Sequence, residues 1–190
     1  IEEIAALDAV ADISPVLWYP SPIIDAIVSA LGPRGEEYFP VRDLLDSGAR
    51  VAAGTDWPAV APNANPWVGI ESLVSRRDPY GQRQGQLWPE QAVTLEEAIR
   101  IYTLNGASAL GLDEMTGSID VGKSADLIVL DRNLFKIPVD EIGDTQVDMT
   151  FSQVSLCTRA PTAMGLSTDR VSPTKPPRER WMAGFDPRPS

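Results

Sequence analysis

The chain has 190 residues, of which 43% are hydrophobic, and its formal net charge is −11. This apolar content excludes a disordered chain and predicts a soluble globular protein with one substantial core or two small ones. The negative charge argues against nucleic acid and anionic membranes as partners, because binding to phosphate requires clustered Lys and Arg. The apolar runs are strand-sized, well short of the roughly 20 residues of a membrane-spanning helix, so no membrane partner is expected.

Histidine is absent from the chain, and cysteine occurs once, at Cys157. Because imidazole is the commonest metal ligand and general base near neutral pH, any histidine-based chemistry must come from outside this chain. A single cysteine excludes an internal disulfide, and without histidine it has no base to activate it as a nucleophile. The single cysteine favours a reducing compartment such as the cytoplasm, but the localisation stays open because a signal peptide could precede Ile1.

The N-terminal part of the sequence predicts a helix that leads into a strand. The chain begins with Ile1 rather than Met, inside an amphipathic pattern that predicts a helix over residues 1–10, so we expect the true N-terminus to be missing. Residues 11–15 predict a short buried strand that a proline terminates. Residues 20–40 predict a long loop with one short helix at 23–31, and long loops after strands often build sites.

A second helix and strand follow this loop. Residues 41–48 predict a helix that ends at a glycine, and residues 50–54 predict a strand that is apolar on both faces, as in a parallel sheet covered by helices. Further helices are predicted over 66–74, with proline in the first turn, and over 94–104, where a Thr-x-x-Glu capping box marks the start.

The last third of the sequence changes character. Residues 116–131 predict a strand–turn–strand unit with glycine at the turns. Residues 158–190 contain six prolines and carry a net charge of +3, whereas the remainder carries −14. Such a shift in composition predicts a disordered appendage or foreign sequence.

Asp56 is the best candidate for chemistry. Its carboxylate follows the strand at 50–54, and barrel enzymes place catalytic groups at the C-terminal edge of their parallel strands. The alternative is that Asp56 caps a turn, as Asp often does. Four loop aromatics could line an apolar substrate pocket or simply pack within the loops: Trp57, Trp67, Tyr80 and Trp88. Adjacency to Asp56 makes Trp57 the one expected nearest the substrate.

The other charged residues favour structural roles. Asp126 and Asp131 bracket an apolar strand, where Asp commonly makes local hydrogen bonds. Lys123 follows a single glycine without the rest of a phosphate loop, which indicates a turn residue. Four more carboxylates lie on the predicted solvent faces of helices: Glu2, Glu3, Asp43 and Asp46.

Two segments carry a family resemblance. The run Gly54-Thr55-Asp56-Trp57-Pro58 and the pattern Gly-Ser-Ile … Gly-Lys-Ser-Ala-Asp-Leu over residues 117–127 resemble the amidohydrolase superfamily. Their spacing of about sixty residues, the helix between them and the Asn-Leu-Phe-Lys-Ile-Pro run that follows narrow the resemblance to amidohydrolase family 3, typified by N-substituted formamide deformylase. The similarity covers roughly residues 1–150.

The resemblance implies an α/β fold, with the C-terminal part of the (β/α)8 TIM barrel of a metal-dependent hydrolase joined to part of a small β-sandwich domain. Residues 11–15 match the seventh barrel strand and residues 50–54 the eighth. On this basis residues 1–112 form the last strands and helices of the barrel and residues 113–151 form part of the small β-domain. Residues 152–190, where the family pattern stops, are expected to be a disordered or non-native tail.

The resemblance also implies a divalent metal, usually zinc, held by histidines from earlier strands and by the aspartate after the eighth strand, which Asp56 matches. In that family the aspartate takes a proton from metal-bound water as it attacks the carbonyl and delivers it to the leaving nitrogen. Asp56 is therefore predicted to be both metal ligand and catalytic residue. Because the histidine-bearing strands are missing, one ligand remains where zinc needs about four, so this chain alone is not expected to retain the metal.

The residues and the resemblance together favour a hydrolase of non-peptide carbon–nitrogen bonds in amides or formamides, present here as an incomplete and inactive C-terminal fragment. The alternative is a non-catalytic binding or assembly fragment that complements a separate N-terminal half. The partners implied are a small amide-type substrate, the missing N-terminal half, or a second copy of the chain in a homo-oligomer.

Overall fold

The computed structural model describes residues 1–35, 37–58, 63–153 and 155–159, and they lie in one compact unit, Ile1–Ala160. The described helices are α1 (Glu2–Ala6), α2 (Pro22–Leu31), α3 (Val41–Asp46), α4 (Pro66–Ser75), α5 (Leu95–Tyr102) and α6 (Leu104–Ala109). The strands are β1 (Val10–Ile13), β2 (Arg50–Ala53), β3 (Leu127–Leu130), β4 (Val147–Ser152) and β5 (Ser155–Arg159). Short 3-10 turns connect them at Pro15–Leu17, Gly32–Gly35, Pro89–Gln91, Leu134–Lys136 and Val139–Asp144. No helix in the described ranges is long and apolar enough to cross a bilayer.

The first sheet is a parallel pair of β1 and β2, in which Val10 lies opposite Arg50 and Ile13 opposite Ala53. Both strands lie where the sequence predicts them, to within two residues. The expected burial of the first strand is wrong in part, because the side chain of Asp12 is exposed and only Ile13 is buried. In β2, by contrast, Val51 and Ala52 are both buried.

The core lies between this sheet and the helices that cover it. Its fully buried centre contains one residue from β2 and one from each of several helices and turns: Val51, Val41, Leu73, Ile101 and Ile142. Removing a side chain of this size from water stabilises the fold by about 1.5–3 kcal/mol per residue. The helix predicted over 94–104 is divided in two at Thr103, so that α5 and α6 both reach β2.

Local capping explains where several helices begin and end. The predicted capping box at α5 is present, with Thr94 Oγ1 accepting from the Glu97 N–H and the Glu97 carboxylate accepting from the Thr94 N–H. Helix α4 begins with Pro66 behind an Asn65 cap, and α3 is followed by Gly48 with a φ of 80°, as the sequence predicts.

Helix α3 obtains its N-terminal cap from a distant residue. Its N-cap residue, Pro40, makes no side-chain cap, and the buried amide of Gln91 supplies the acceptor instead. Gln91 Oε1 lies 2.8 Å from the backbone nitrogen of Arg42 and 3.2 Å from that of Asp43. One side-chain oxygen therefore pairs with two of the backbone N–H groups that every helix N-terminus leaves open.

Replacing Gln91 with Ala is expected to lower the free energy of unfolding by about 1–3 kcal/mol, because two N–H groups at the start of α3 lose their acceptor. Gln82→Ala is the matched control, since the Gln82 side chain is exposed. Urea unfolding followed by circular dichroism measures both. Equal midpoints for the two variants would show that water replaces the cap without cost.

The second sheet contains β3, β4 and β5 in antiparallel order. Here the prediction of a strand–turn–strand unit over 116–131 is wrong, because only β3 lies in that range and its partner is β4. The preceding residues form turns instead, with the Thr116 N–H donating to Leu112 O and the Ser124 N–H to Met115 O.

Strand β5, at 155–159, extends ordered structure into the range assigned to the tail at 152–190. Its backbone pairs with β4, with Met149 opposite Arg159. From residue 160 onward the predicted tail lies outside the described residues. The boundary between the barrel part, 1–112, and the small β-domain, 113–151, stays a prediction.

Candidate functional site

Asp56 lies three residues beyond the end of β2, at the carboxyl end of the parallel pair. The backbone N–H of Gly54 still donates to Ile13 O at 2.9 Å, so the chain leaves the sheet directly before Thr55 and Asp56. The side chain of Asp56 is exposed. This is the sheet edge at which the sequence predicts a catalytic carboxylate, and the role of Asp56 there stays a prediction.

The backbone of Asp56 is in the left-handed region, with a φ of 52°. Asp and Asn tolerate this conformation better than most residues, but it still costs free energy relative to the helical or extended regions. Such strain often marks functional sites, where the surrounding structure holds one residue in a fixed direction. Among the described residues, the Trp57 N–H donates to Thr55 Oγ1 at 3.3 Å in this turn, and the turn-capping alternative for Asp56 stays open.

Trp57 follows Asp56 and is 58% exposed, with a cis peptide bond to Pro58. Its indole therefore lies on the surface beside Asp56, where a substrate could contact it. Of the other candidate aromatics, Trp67 is 7% exposed and belongs to the hydrophobic core, so the packing alternative holds for Trp67. Tyr80 lies with its ring 6.1 Å from that of Tyr19 in an edge-on arrangement.

Two side chains from the helices hold the end of β2. The Asn105 amide donates to Val51 O at 2.9 Å, and the Tyr102 hydroxyl lies 3.5 Å from Gly54 O. Burial raises the pKa of the Tyr102 hydroxyl well above its usual value, so the phenol keeps its proton and can act as a donor. Apart from the helical stripe that contains Tyr102, no sequence pattern predicts these contacts.

A buried arginine lies beyond the carboxyl end of β1 and was also missed. The Arg76 guanidinium is fully buried, stacks 5.7 Å from the Trp18 ring and donates from Nε to Leu87 O at 2.8 Å. Burial lowers the pKa of Arg76 to about 10. A positive charge in this environment costs free energy, and the stacking on Trp18 offsets part of it.

Asp126 and Asp131 make local hydrogen bonds, as predicted. Asp126 accepts hydrogen bonds from Ser152 Oγ and the Gln153 N–H, which tie the start of β3 to the end of β4. Asp131 accepts from the Gln146 N–H and pairs with Arg132. These contacts hold the second sheet together and lie apart from the loop at Asp56.

The described residues do not by themselves complete a metal site. Among them, no three side chains of His, Cys, Asp or Glu come together in a way that could hold a metal ion. Asp56 offers one carboxylate, whereas a zinc site needs about four donors. Any metal held at this sheet edge would take its other ligands from outside the described part of the chain.

The sequence model of the amidohydrolase family matches residues 1–153. The chain belongs to the amidohydrolase family. This finding confirms the family resemblance carried by the segments at 54–58 and 117–127, and the matched residues include β1 to β4 but not β5.

This amidohydrolase chain is 37% identical over 115 residues to N-substituted formamide deformylase of Arthrobacter pascens, a match that covers 60% of the chain and 20% of the relative. It is 32% identical over 118 residues to imidazolonepropionase of Bdellovibrio bacteriovorus, covering 62% of the chain and 24% of the relative. The chain therefore spans about a fifth to a quarter of the length of these curated relatives.

A solved adenosine deaminase from Xanthomonas campestris with bound zinc has a TM-score of 0.56 and 20% identity to the chain, and the match covers 81% of this chain and 34% of that one. This likeness concerns the fold. It confirms the predicted α/β fold class, with β1 and β2 as neighbouring parallel strands and the chain matching part of that fold. That this part is the C-terminal end of the barrel stays a prediction.

Proposed function

We propose that this chain supplies the C-terminal part of the catalytic centre of a hydrolase that cleaves non-peptide carbon–nitrogen bonds in small amides or formamides. The observation that carries the proposal is the exposed carboxylate of Asp56 at the carboxyl end of a parallel strand in a member of the amidohydrolase family. The formamide class is favoured by the 37% identity to a formamide deformylase.

Asp56 is proposed to have two roles in the complete enzyme. Its carboxylate would be one ligand of a divalent cation, proposed to be zinc, which would polarise the carbonyl of the substrate when bound. The same carboxylate would accept a proton from the water molecule that adds to the carbonyl carbon, and would deliver that proton to the departing nitrogen as the carbon–nitrogen bond breaks. The left-handed backbone at Asp56, with a φ of 52°, supports this role because such strained conformations often occur at functional sites.

Trp57 is proposed to contact the substrate. Its indole is 58% exposed next to Asp56, and a flat apolar surface at this position suits the substituent on an amide nitrogen. The small-molecule substrate is thus expected to lie between this ring and the carboxylate.

The chain alone is proposed to be inactive and to lose zinc on dialysis, because it offers one metal ligand at the sheet edge. The alternative function, an assembly fragment that binds a separate N-terminal half, is favoured by apolar side chains exposed on the segment after α6. Four of them are more than 60% exposed: Leu110, Met115, Ile119 and Val121.

The test compares this chain alone with the chain joined to the protein sequence encoded upstream of it. Zinc content is measured by atomic emission after dialysis, and hydrolysis is measured on N-benzylformamide and on a simple acetamide. We expect zinc retention and turnover only in the joined protein. Turnover by the chain alone would contradict the proposed lack of ligands, and an inactive, zinc-free joined protein would contradict the hydrolase function itself.

A further inference from the structure

The hydrogen-bond ladder between β1 and β2 ends in an acceptor that the strands themselves cannot pair. In a parallel pair, a residue that donates to position j−1 of its neighbour accepts from position j+1. Gly54 donates to Ile13 O, so Gly54 O would accept from the N–H of residue 15. That residue is Pro15, which has no N–H. The last rung before Asp56 therefore lacks its backbone donor.

The Tyr102 hydroxyl occupies the place of that donor. Oη lies 3.5 Å from Gly54 O, which is long for a hydrogen bond between two oxygens and marks a weak one. Burial raises the pKa of the Tyr102 hydroxyl well above its usual value, so the phenol keeps its proton at neutral pH and can donate. Tyr102 is the last residue of α5, and its hydroxyl reaches Gly54 O, one residue beyond the end of β2.

Gly69 in α4 provides the space for this hydroxyl. A Cβ on Gly69 would overlap Tyr102 Oη, and it would lie 3.0 Å from Tyr102 Cζ and 3.4 Å from Pro15 Cγ. Gly69 is buried within a helix, where glycine is unfavourable unless packing requires it. Three residues from three elements thus come together near the Tyr102 hydroxyl: a proline that cannot donate, a tyrosine that donates to Gly54 O, and a glycine that leaves room for the tyrosine.

We propose that Tyr102 is a positioning residue, whose hydroxyl replaces the missing donor of Pro15 and fixes the Gly54 peptide two residues before Asp56. This inference rests on the proposed role of Asp56 for its catalytic consequence, but its structural part stands without it. Asn105 assists from α6, since its amide binds Val51 O at the opposite edge of the same strand.

The structural part is tested in this chain by Tyr102→Phe, which removes only the hydroxyl. The NMR signals of the Gly54 carbonyl carbon and the Thr55 amide nitrogen report directly on hydrogen bonding to Gly54 O. Both signals are expected to move in Tyr102→Phe and to stay in place in the control Tyr38→Phe, whose ring is 50% exposed. Unchanged Gly54 and Thr55 signals in Tyr102→Phe would overturn the proposal.

Gly69→Ala is a second, independent variant. Its methyl group must displace the Tyr102 hydroxyl, so it is expected to move the same two signals and to lower the melting temperature. Combining Tyr102→Phe with Gly69→Ala is expected to restore part of the lost melting temperature, because the double variant lacks the Tyr102 hydroxyl that the new methyl group would overlap. Strictly additive losses would show that Gly69 does not accommodate the hydroxyl.

The catalytic consequence is tested in the joined protein. Tyr102→Phe is expected to lower kcat about 10-fold with KM unchanged, as for a small misplacement of a catalytic group. If Asp56→Asn abolishes turnover while Tyr102→Phe leaves kcat unchanged, the positioning role is wrong and the proposed function stands. A third outcome is that Asp56→Asn and Tyr102→Phe both leave turnover unchanged, while Tyr102→Phe still moves the Gly54 NMR signal in this chain. The proposed function is then wrong, but the hydrogen bond from Tyr102 to Gly54 O is supported.

Discussion

Replacing Asp56 with Asn is expected to reduce kcat/KM for an amide or formamide by about 10²–10⁴-fold in the joined protein, the range typical of losing a general acid or base. The neutral amide cannot take up and return a proton at the reacting centre. It is also a weaker metal donor than a carboxylate, so bound zinc is expected to fall as well. Hydrolysis rates and zinc content, measured on the same preparation, report the two effects separately.

The substitution is well suited to this position because Asn adopts a φ near 52° at least as readily as Asp. We therefore expect unfolding by urea to be nearly the same for Asp56→Asn and the parent. Asp140→Asn is the matched control, since Asp140 is an exposed aspartate in the 3-10 turn Val139–Asp144. If Asp56→Asn and Asp140→Asn hydrolyse the substrate equally well, Asp56 only shapes its turn and the proposed function loses its catalytic residue.

The parts of the fold that the sequence predicted well are those with a local cause. The capping box of Thr94 and Glu97 predicts the start of α5, and both of its hydrogen bonds form within one helical turn. The apolar run of β2 predicts a strand covered by helices, and Val51 is fully buried. Asp56 could be placed at the sheet edge because it follows such a strand after only two residues.

The parts that it missed depend on residues far apart in the chain. The cap of α3 comes from Gln91, 49 residues after Arg42, and nothing near α3 indicates it. Strand β3 pairs with β4, about 20 residues later in the chain, and not with a strand formed by the residues just before it. The choice of partner depends on contacts within the whole sheet, which the local pattern does not contain. The exposure of Asp12 is of the same kind, since a strand pattern does not say which of its faces the helices cover.

The candidate site contains both kinds of feature, those with a local cause and those that depend on residues far apart in the chain. Asp56 and Trp57 follow from the pattern around them, whereas the contact of Tyr102 with Gly54 requires three elements to meet. Among the described residues, no three side chains of His, Cys, Asp or Glu come together as a metal site, so the metal proposed at Asp56 requires ligands from outside them. Sequence reasoning could therefore identify one residue of the site but not the environment that orients it.

The largest effect on stability is expected at Gly117, in the motif over residues 117–127. A Cβ there would lie 2.6 Å from Ala107 Cβ and 3.0 Å from the Leu104 backbone, and the φ of 89° disfavours any side chain. Since Leu104 contributes a backbone atom, α6 itself must move. Gly117→Ala is therefore expected to lower the free energy of unfolding by about 3–5 kcal/mol, combining backbone strain with overpacking.

Gly122 provides a closely matched control in the same motif. Its φ is 95°, but nothing lies within 4 Å of a Cβ at this position. Gly122→Ala should therefore cost only the conformational strain, about 1–2 kcal/mol, and urea unfolding measures both variants in the same buffer. A clear excess for Gly117→Ala would show that this glycine is required for contact with α6, which also carries the Asn105 amide that binds β2. Equal losses of unfolding free energy would mean that α6 moves away from the methyl group at little cost. Both glycines would then be required only for the positive φ of their turns.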